Sequence, residues 1–248
     1  MTETTSWKER LYARYISDGQ ARVPGENIEQ LFASRASYIK HVIQNYVPTD
    51  YNIKILDLGC GHGGFLYFLN RAGYSNLAGV DISWEQVNLA HRLGIDCVEH
   101  GDIYQYVLTV NENTFDIILL MDVLEHYSRP MLFALLDEVY RVLRPGGKCI
   151  VHVPNAQGMY GMRVLFSDLT HELAFTSRSI HQLFSAIGFE QIKCHEDKPI
   201  IHNLYSLVRR IIWDLGTVPA KLLWIAETGE SSVILSSNMT VTVAKPNV

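Results

Sequence analysis

The chain has 248 residues, 48% hydrophobic and 19% charged, with a formal net charge of −5. That length suits one large α/β domain with additions and allows a sizeable buried core. The acidic balance, with no basic run longer than Arg209-Arg210, argues against strong nonspecific binding to nucleic acid.

Residues 1–47 read as a helical accessory segment: Leu31, Ala36, Ile39, Val42, Ile43 and Tyr46 recur at helical spacing, and Pro48 ends the pattern. From there strands and helices alternate. The expected order is strand 53–58, helix 64–72, strand 76–80, helix 84–93, a short strand 95–99, strand 115–121, helix 131–143 and strand 148–153. After Pro154-Asn155 an irregular stretch runs to about Thr176. Helix 177–187 follows, capped by Thr176 or Ser177. Gly188-Phe189 then opens a strand through Cys194, and Met239 to Ala244 forms the last strand. Residues 48–248 are thus one domain with a helical insertion at 196–236. The alternation implies right-handed crossovers and a doubly wound, mostly parallel α/β sheet.

Such sheets bind ligands at the carboxyl ends of their strands, where Asp57, Asp81, Asp102 and Asp122 all fall. The segment Ile55 to Gly64 is an apolar strand that ends in Asp57 and breaks into glycines, so backbone can approach a nucleotide-like ligand. Gly59, Gly61 and Gly64 also satisfy the dinucleotide fingerprint, with Asp81 as the expected ribose ligand in either case. Helix capping is the competing role for Asp81 and for Asp102. Cys60 inside the turn reads as a small filler rather than a nucleophile. The four cysteines are scattered without a Cys-x-x-Cys pair, which excludes a zinc ribbon or redox motif and suits reduced thiols. A polar amino terminus and the lack of any apolar run near ~20 residues lead us to expect a cytoplasmic protein.

Five motifs decide between the nucleotide cofactors: Leu56-Asp57-Leu58-Gly59-Cys60-Gly61, Gly79-Val80-Asp81, Gly101-Asp102, Leu124-Glu125-His126 and Leu143-Arg144-Pro145-Gly146-Gly147. In this order and spacing the chain resembles the class I S-adenosylmethionine-dependent methyltransferases, specifically the group related to ubiquinone-biosynthesis O-methyltransferases. The resemblance implies a seven-stranded Rossmann-like sheet closed by an antiparallel hairpin, and S-adenosyl-L-methionine as cofactor. Its expected contacts are Arg35, Asp57, Gly59, Cys60, Gly61, Asp81, Ile82, Asp102, Ile103 and Met121. Among these, Asp102 and Ile103 would frame the adenine, and Asp57 would order the turn and reach the methionine amine indirectly. Arg35, resembling the family's N-terminal arginine element, would hold the carboxylate.

For the acceptor, the candidate catalytic residues are His171, His126 and Glu125. A neutral imidazole in a pocket loop suits removal of a hydroxyl proton; His152, inside a strand, reads as structural. Asp122, Glu125 and His126 have i, i+3, i+4 spacing, so a helical turn would put them on one face. A similar element binds magnesium in some relatives, with a further histidine. Here the metal is left open and Mg²⁺ is not favoured, because the first position is Asp rather than Glu.

The insertion carries apolar residues at helical spacing from Leu204 to Ile225, broken at Gly216 and Pro219. They read either as interfacial helices for a membrane surface or as helices packed on the domain or a second subunit, the commoner use of such stripes. The expected reaction is O-methylation of a sugar or other small-molecule hydroxyl, because the stretch from Phe166 to Phe175 and the end of the insertion look like methyltransferases of surface polysaccharide or glycolipid assembly. The alternatives are a quinone-type or natural-product phenol as acceptor, and a noncatalytic cofactor-binding partner subunit.

Overall fold

The computed structural model describes residues 7–14, 17 and 28–247; the helical expectation for residues 1–6, 15–16 and 18–27 lies outside them. The strands are β1 (Ile55–Leu58), β2 (Leu77–Asp81), β3 (Val98–His100), β4 (Phe115–Met121), β5 (Leu143–Pro154), β6 (Glu190–Glu196) and β7 (Asn238–Ala244). They form one sheet in the order β3-β2-β1-β4-β5-β7-β6. The first five strands pair in parallel, while β7 runs antiparallel to both β5 and β6. This is the mostly parallel sheet with an antiparallel closing hairpin that the sequence implied. Chain order departs in opposite directions from β1 and β4, and a ligand crevice forms at that switch point.

Both sheet faces are covered, so the central strands are apolar without alternation. One face is packed by α2 (Ile28–Tyr46) and α3 (Gly64–Ala72), where Ile39, Val42, Phe65 and Leu69 meet Ile55, Ile117, Leu119 and Ile150. The opposite face is packed by α5 (Ile103–Thr109), α6 (Arg129–Val142) and α8 (Ser177–Ile187). There Val107, Leu135 and Phe184 meet Leu56, Leu58, Ile118 and Leu120. Alternate residues of β1 and β4 therefore feed opposite layers, as strand geometry requires. Each such side chain contributes about 1.5–3 kcal/mol of burial. Because α2 lies in a core layer, the switch point has a helix over it on which Arg35 rides.

Several boundaries differ from expectation. The third strand covers 98–100, not 95–99, because Ile95 still belongs to the end of α4 (Trp84–Arg92), its N–H donating to the Ala90 carbonyl at 3.0 Å. Helix α5 is absent from the expected element order, although the sequence allows Asp102 a capping role. Its sequence, IYQYVLT, has strand-like composition, but Asp102 caps it by accepting the Gln105 N–H at 2.9 Å. The stretch after Asn155 is irregular except for the short α7 (Gly161–Leu165). Thr176 caps α8 in a reciprocal box with Ser179, as anticipated.

The insertion forms α9 (Leu204–Gly216) and α10 (Val218–Thr228), broken where Gly216 and Pro219 predict. Their apolar stripes do not pack on the domain. Ser206 is the one buried residue of α9, and α10 has none. No described helix is long and apolar enough to cross a membrane.

Candidate active site

The glycine turn after β1 is held by main chain. The N–H groups of Gly59 and Cys60 both donate to the Val80 carbonyl, at 2.8 and 3.2 Å. Gly59 has φ +76°, and a Cβ there would lie 2.6 Å from Val123 Cγ2, so only glycine fits. The Asp81 carboxylate spans this turn and the next: Oδ2 accepts the Gly61 N–H and Oδ1 the Ser83 N–H, both at 2.8 Å. Cys60 packs beneath the turn, and burial pushes its thiol well above the usual range, so it fills space and is not a nucleophile.

These residues border a cavity of about 890 Å³ at the switch point. All ten expected cofactor contacts (Arg35, Asp57, Gly59, Cys60, Gly61, Asp81, Ile82, Asp102, Ile103 and Met121) line it, as do Glu125, His126 and His171. Asp102 caps α5, whereas Asp81 does not cap α4, whose N-cap is Ser83; both carboxylates still line the cavity. A carboxylate oxygen has two lone pairs, so one can serve the backbone and the other a ligand.

Asp57 is 2% exposed, and its Oδ1 has no hydrogen-bond partner among the described residues. Burial, and then the nearby Asp81 charge, raise its carboxyl to about 7. A buried acceptor lacking a partner beside a bare glycine turn fits a ligand that carries both a cation and a nucleoside. Arg35, assigned to a carboxylate, donates from Nη2 to Asp122 Oδ2 at 2.8 Å and stands at the cavity wall.

Asp122 departs from expectation. It does not share a helical face with Glu125 and His126, because the turn after β4 is a short 3-10 helix, Leu124–His126, and Asp122 precedes it at φ +60°. That left-handed conformation is strained for a non-glycine residue and persists only where neighbours impose it. Here they do: Asp122 binds Arg35 on one side and His152 Nδ1 on the other, while His152 Nε2 binds Asp197 at 2.8 Å. Burial opposes ionisation at both His152 and Asp122. The facing charges prevail, so His152 is raised well above the ordinary imidazole range and Asp122 held far below the carboxylate range. His152 is thus structural, as expected, and charged.

On the other side of the cavity, His126 is oriented by a relay. The Thr170 hydroxyl donates to Asp168 Oδ1 at 2.6 Å and lies 2.8 Å from His126 Nδ1. A hydroxyl has one proton. With that proton on Asp168, Thr170 must accept from His126, which fixes the Nδ1–H tautomer and leaves the Nε2 lone pair free. Burial, then the adjacent His171, lower His126 to about 4, so it is neutral at pH 7.

The His171 ring lies 4.7 Å from that of His126 and its Nδ1 is 3.1 Å from the Val164 carbonyl. Glu125 is 1% exposed; its Oε2 has no partner among the described residues, and burial with the Asp122 charge raises its pKa strongly. Ligand atoms of Glu125, His126 and His171 all lie within 4.8 Å of one another. Among the described residues this trio, with His171 in place of Asp122, is the group that could hold a cation.

Two further segments close this side. The Glu125 carbonyl accepts the N–H groups of Glu172 and Leu173, at 2.7 and 3.1 Å, which pins the loop after β5 over the 3-10 turn. Lys8 of α1 (Trp7–Tyr12) donates to the His126 carbonyl at 2.6 Å and pairs with Glu172. Sequence reasoning missed Lys8, Tyr12, Phe32, His62 and Gln86, all of which line the cavity. His62 lies inside the glycine motif and could have been flagged. Lys8 and Tyr12 reach the site across more than a hundred residues of chain, which no local spacing reveals.

Comparison with known proteins agrees with this fold. Residues 29–193 match the methyltransferase domain family. A mitochondrial ubiquinone biosynthesis O-methyltransferase from Rattus norvegicus is 34% identical over 124 residues, 47% of this chain and 35% of that protein. A phosphoethanolamine N-methyltransferase from Triticum aestivum is 31% identical over 102 residues, 40% of this chain and 20% of that protein. The chain thus spans about a third or less of the length of these two relatives. A SAM-dependent methyltransferase from Archaeoglobus fulgidus superposes with a TM-score of 0.64 at 20% identity, covering 88% of this chain and 97% of that one. A Haemonchus contortus phosphoethanolamine N-methyltransferase in complex with S-adenosyl-L-methionine gives a TM-score of 0.59 at 19% identity, covering 96% and 57%.

The fold and its switch-point cavity are those of the class I S-adenosylmethionine-dependent methyltransferases. The chain belongs to the methyltransferase domain family, and S-adenosyl-L-methionine is the cofactor that family and cavity call for.

Proposed function

We propose that this chain transfers a methyl group from S-adenosylmethionine to an oxygen of a small hydroxyl-bearing acceptor, with His126 as general base. Bound in the cavity, the cofactor supplies an electrophilic methyl group on a sulfonium. Asp81 is assigned to the ribose hydroxyls, and Asp102 with Ile103 to the adenine. Asp57 is assigned to the ammonium, Arg35 to the carboxylate, and Gly59, Cys60, Gly61, Ile82 and Met121 to the remaining wall.

The observation that carries the reaction is the Asp168–Thr170–His126 relay. It fixes a neutral imidazole at the cavity wall with its Nε2 unprotonated, the form that can accept a hydroxyl proton. A hydroxyl needs such a base, and so does an alkylammonium, which carries no lone pair until it has lost a proton. Glu125, whose carboxyl burial pushes upward, and His171 complete the wall beside His126. The relatives divide between O- and N-methyltransferases, and the acceptor panel below separates the two. A sugar hydroxyl and a phenol are both compatible with this chemistry.

A second reading, favoured by the convergence of Glu125, His126 and His171, places a divalent cation there to polarise the acceptor oxygen. Two imidazoles and one carboxylate suit zinc or manganese better than magnesium.

Turnover against nucleotide sugars, lipid-linked glycans, phenols and small amines, with and without EDTA, tests both readings. His126→Ala should lower kcat by roughly 10²–10⁴-fold and leave S-adenosylhomocysteine affinity unchanged. Unchanged turnover on the preferred acceptor would remove His126 from the mechanism, and methylation of amines alone would overturn the hydroxyl reading. Loss of activity in EDTA, restored by metal, would select the second reading.

A further inference from the structure

We propose that Gln86 is a further cofactor contact, its side-chain amide donating to a ribose hydroxyl whose proton Asp81 accepts, with His62 as the residue that positions it. The inference rests on the assignment of Asp81 to the ribose. Gln86 lies in the first turn of α4, on a buried face shared with Val87, Leu89 and Ala90. Those neighbours are apolar, and Gln86 is only 5% exposed. A polar group buried in such company is costly unless it is hydrogen-bonded.

The protein meets half of that need. His62 Nδ1 lies 2.8 Å from Gln86 Oε1. A carbonyl oxygen only accepts, so His62 carries its proton on Nδ1 and donates it. Burial holds His62 below the ordinary imidazole range, so the ring has that single proton at pH 7. Phe32 stacks on this ring, with 5.3 Å between centroids and 3° between planes, which fixes its direction. The Gln86 amide is thereby held by its oxygen edge. Its two side-chain N–H groups have no partner among the described residues.

The place of that free edge selects the ligand group. A Cβ on Gly61 would sit 3.8 Å from Gln86 Cδ, Oε1 and Nε2 alike, so the amide lies flat against this glycine. The Gly61 N–H is taken by Asp81 Oδ2 at 2.8 Å. Asp81 and Gln86 therefore flank one glycine, and all three border the cavity. Their hydrogen-bonding characters are opposite: an ionised carboxylate only accepts, and amide N–H groups only donate. A hydroxyl that gives its one proton to Asp81 keeps lone pairs that need a donor. A carboxylate alone would take any proton-bearing group, an ammonium included. A carboxylate beside an amide N–H is complementary to a hydroxyl.

The test is calorimetric titration of the full chain with S-adenosylhomocysteine and with its 2′-deoxy and 3′-deoxy ribose analogues. The wild type should bind at least one analogue about tenfold more weakly than S-adenosylhomocysteine. Gln86→Leu should weaken S-adenosylhomocysteine binding roughly five- to tenfold. It should bind that same analogue no more weakly than the wild type does, because the contact is already gone. Gln86→Glu sets a second acceptor beside Asp81 and should weaken S-adenosylhomocysteine binding further; being nearly the same size, it carries the comparison if the leucine variant melts early. His62→Phe should cost a smaller factor, and nothing more when added to Gln86→Leu. Equal losses by Gln86→Leu on S-adenosylhomocysteine and on both analogues would overturn the proposal, since a damaged glycine turn acts that way. So would an unchanged S-adenosylhomocysteine affinity. A wild type that bound both analogues as tightly as S-adenosylhomocysteine would remove the ribose reading of Asp81 itself, and this inference with it.

Discussion

The two sides of the cavity are built from different materials. Toward β1 and β2 the wall is mostly main chain: glycines at positive φ, Asp81 tied to the N–H groups of Gly61 and Ser83, and Asp102 to that of Gln105. Toward the loop after β5 the wall is side chain on side chain, with Thr170, Asp168 and His126 in a relay and Lys8 reaching in from α1. A wall of backbone tolerates no added atom, because nothing in it can rotate aside. A wall of side chains can change its chemistry without unfolding. Damage on the first side should therefore appear as lost binding and stability, and damage on the second as lost turnover.

The largest structural effect is expected at His152, which joins the donor side to the closing hairpin. His152→Leu would leave Asp122 and Asp197 facing each other without their imidazolium, at a cost of about 3–5 kcal/mol. A fall in the melting temperature with a weakened hold on S-adenosylhomocysteine is the expected outcome. An unchanged melt would mean the three groups are not charged as described. Gly59→Ala comes next, combining the left-handed backbone with the Val123 collision for about 2–3 kcal/mol. Calorimetry should find S-adenosylhomocysteine affinity reduced by tenfold or more. If the alanine variant bound normally, the claim that backbone alone fits here would fail.

A smaller effect, in pH, belongs to Asp57. Its carboxyl is raised from 3.8 to about 7 in the folded chain. The stability this group contributes is therefore full below its unfolded value and lost as pH rises through about 7. Asp57→Asn should remove that decline, so the empty variant should outlast the wild type in melts above pH 7. The contact proposed between Asp57 and the ligand's ammonium needs the ionised form, so S-adenosylhomocysteine affinity should fall about tenfold from pH 8 to pH 6. A flat pH profile would detach Asp57 from the ligand.

Much of the donor side was legible because glycine and aspartate at strand ends are local signals. The positions of Gly59, Asp81 and Asp102 along the chain dictate their positions at the sheet edge. The acceptor side was legible only in its members. His126 and His171 could be named, but their meeting depends on the Glu125 carbonyl catching two N–H groups of a loop some 45 residues away. Asp122 misled for a related reason. The i, i+3, i+4 spacing assumes helix from its first residue, whereas His152 and Arg35 draw Asp122 into a left-handed conformation outside the turn. On α9 and α10 the pattern predicted helices and their break. It could not tell which way the stripes face, since that depends on what Ser206 and Trp213 bury against.

The most direct test is a crystal structure of the chain with S-adenosylhomocysteine. The account predicts the ligand in the switch-point cavity, with its ribose on Asp81, its ammonium toward Asp57 and its sulfur facing the side of His126. A ligand found elsewhere, or turned so that its adenine fills the space before His126, would contradict it.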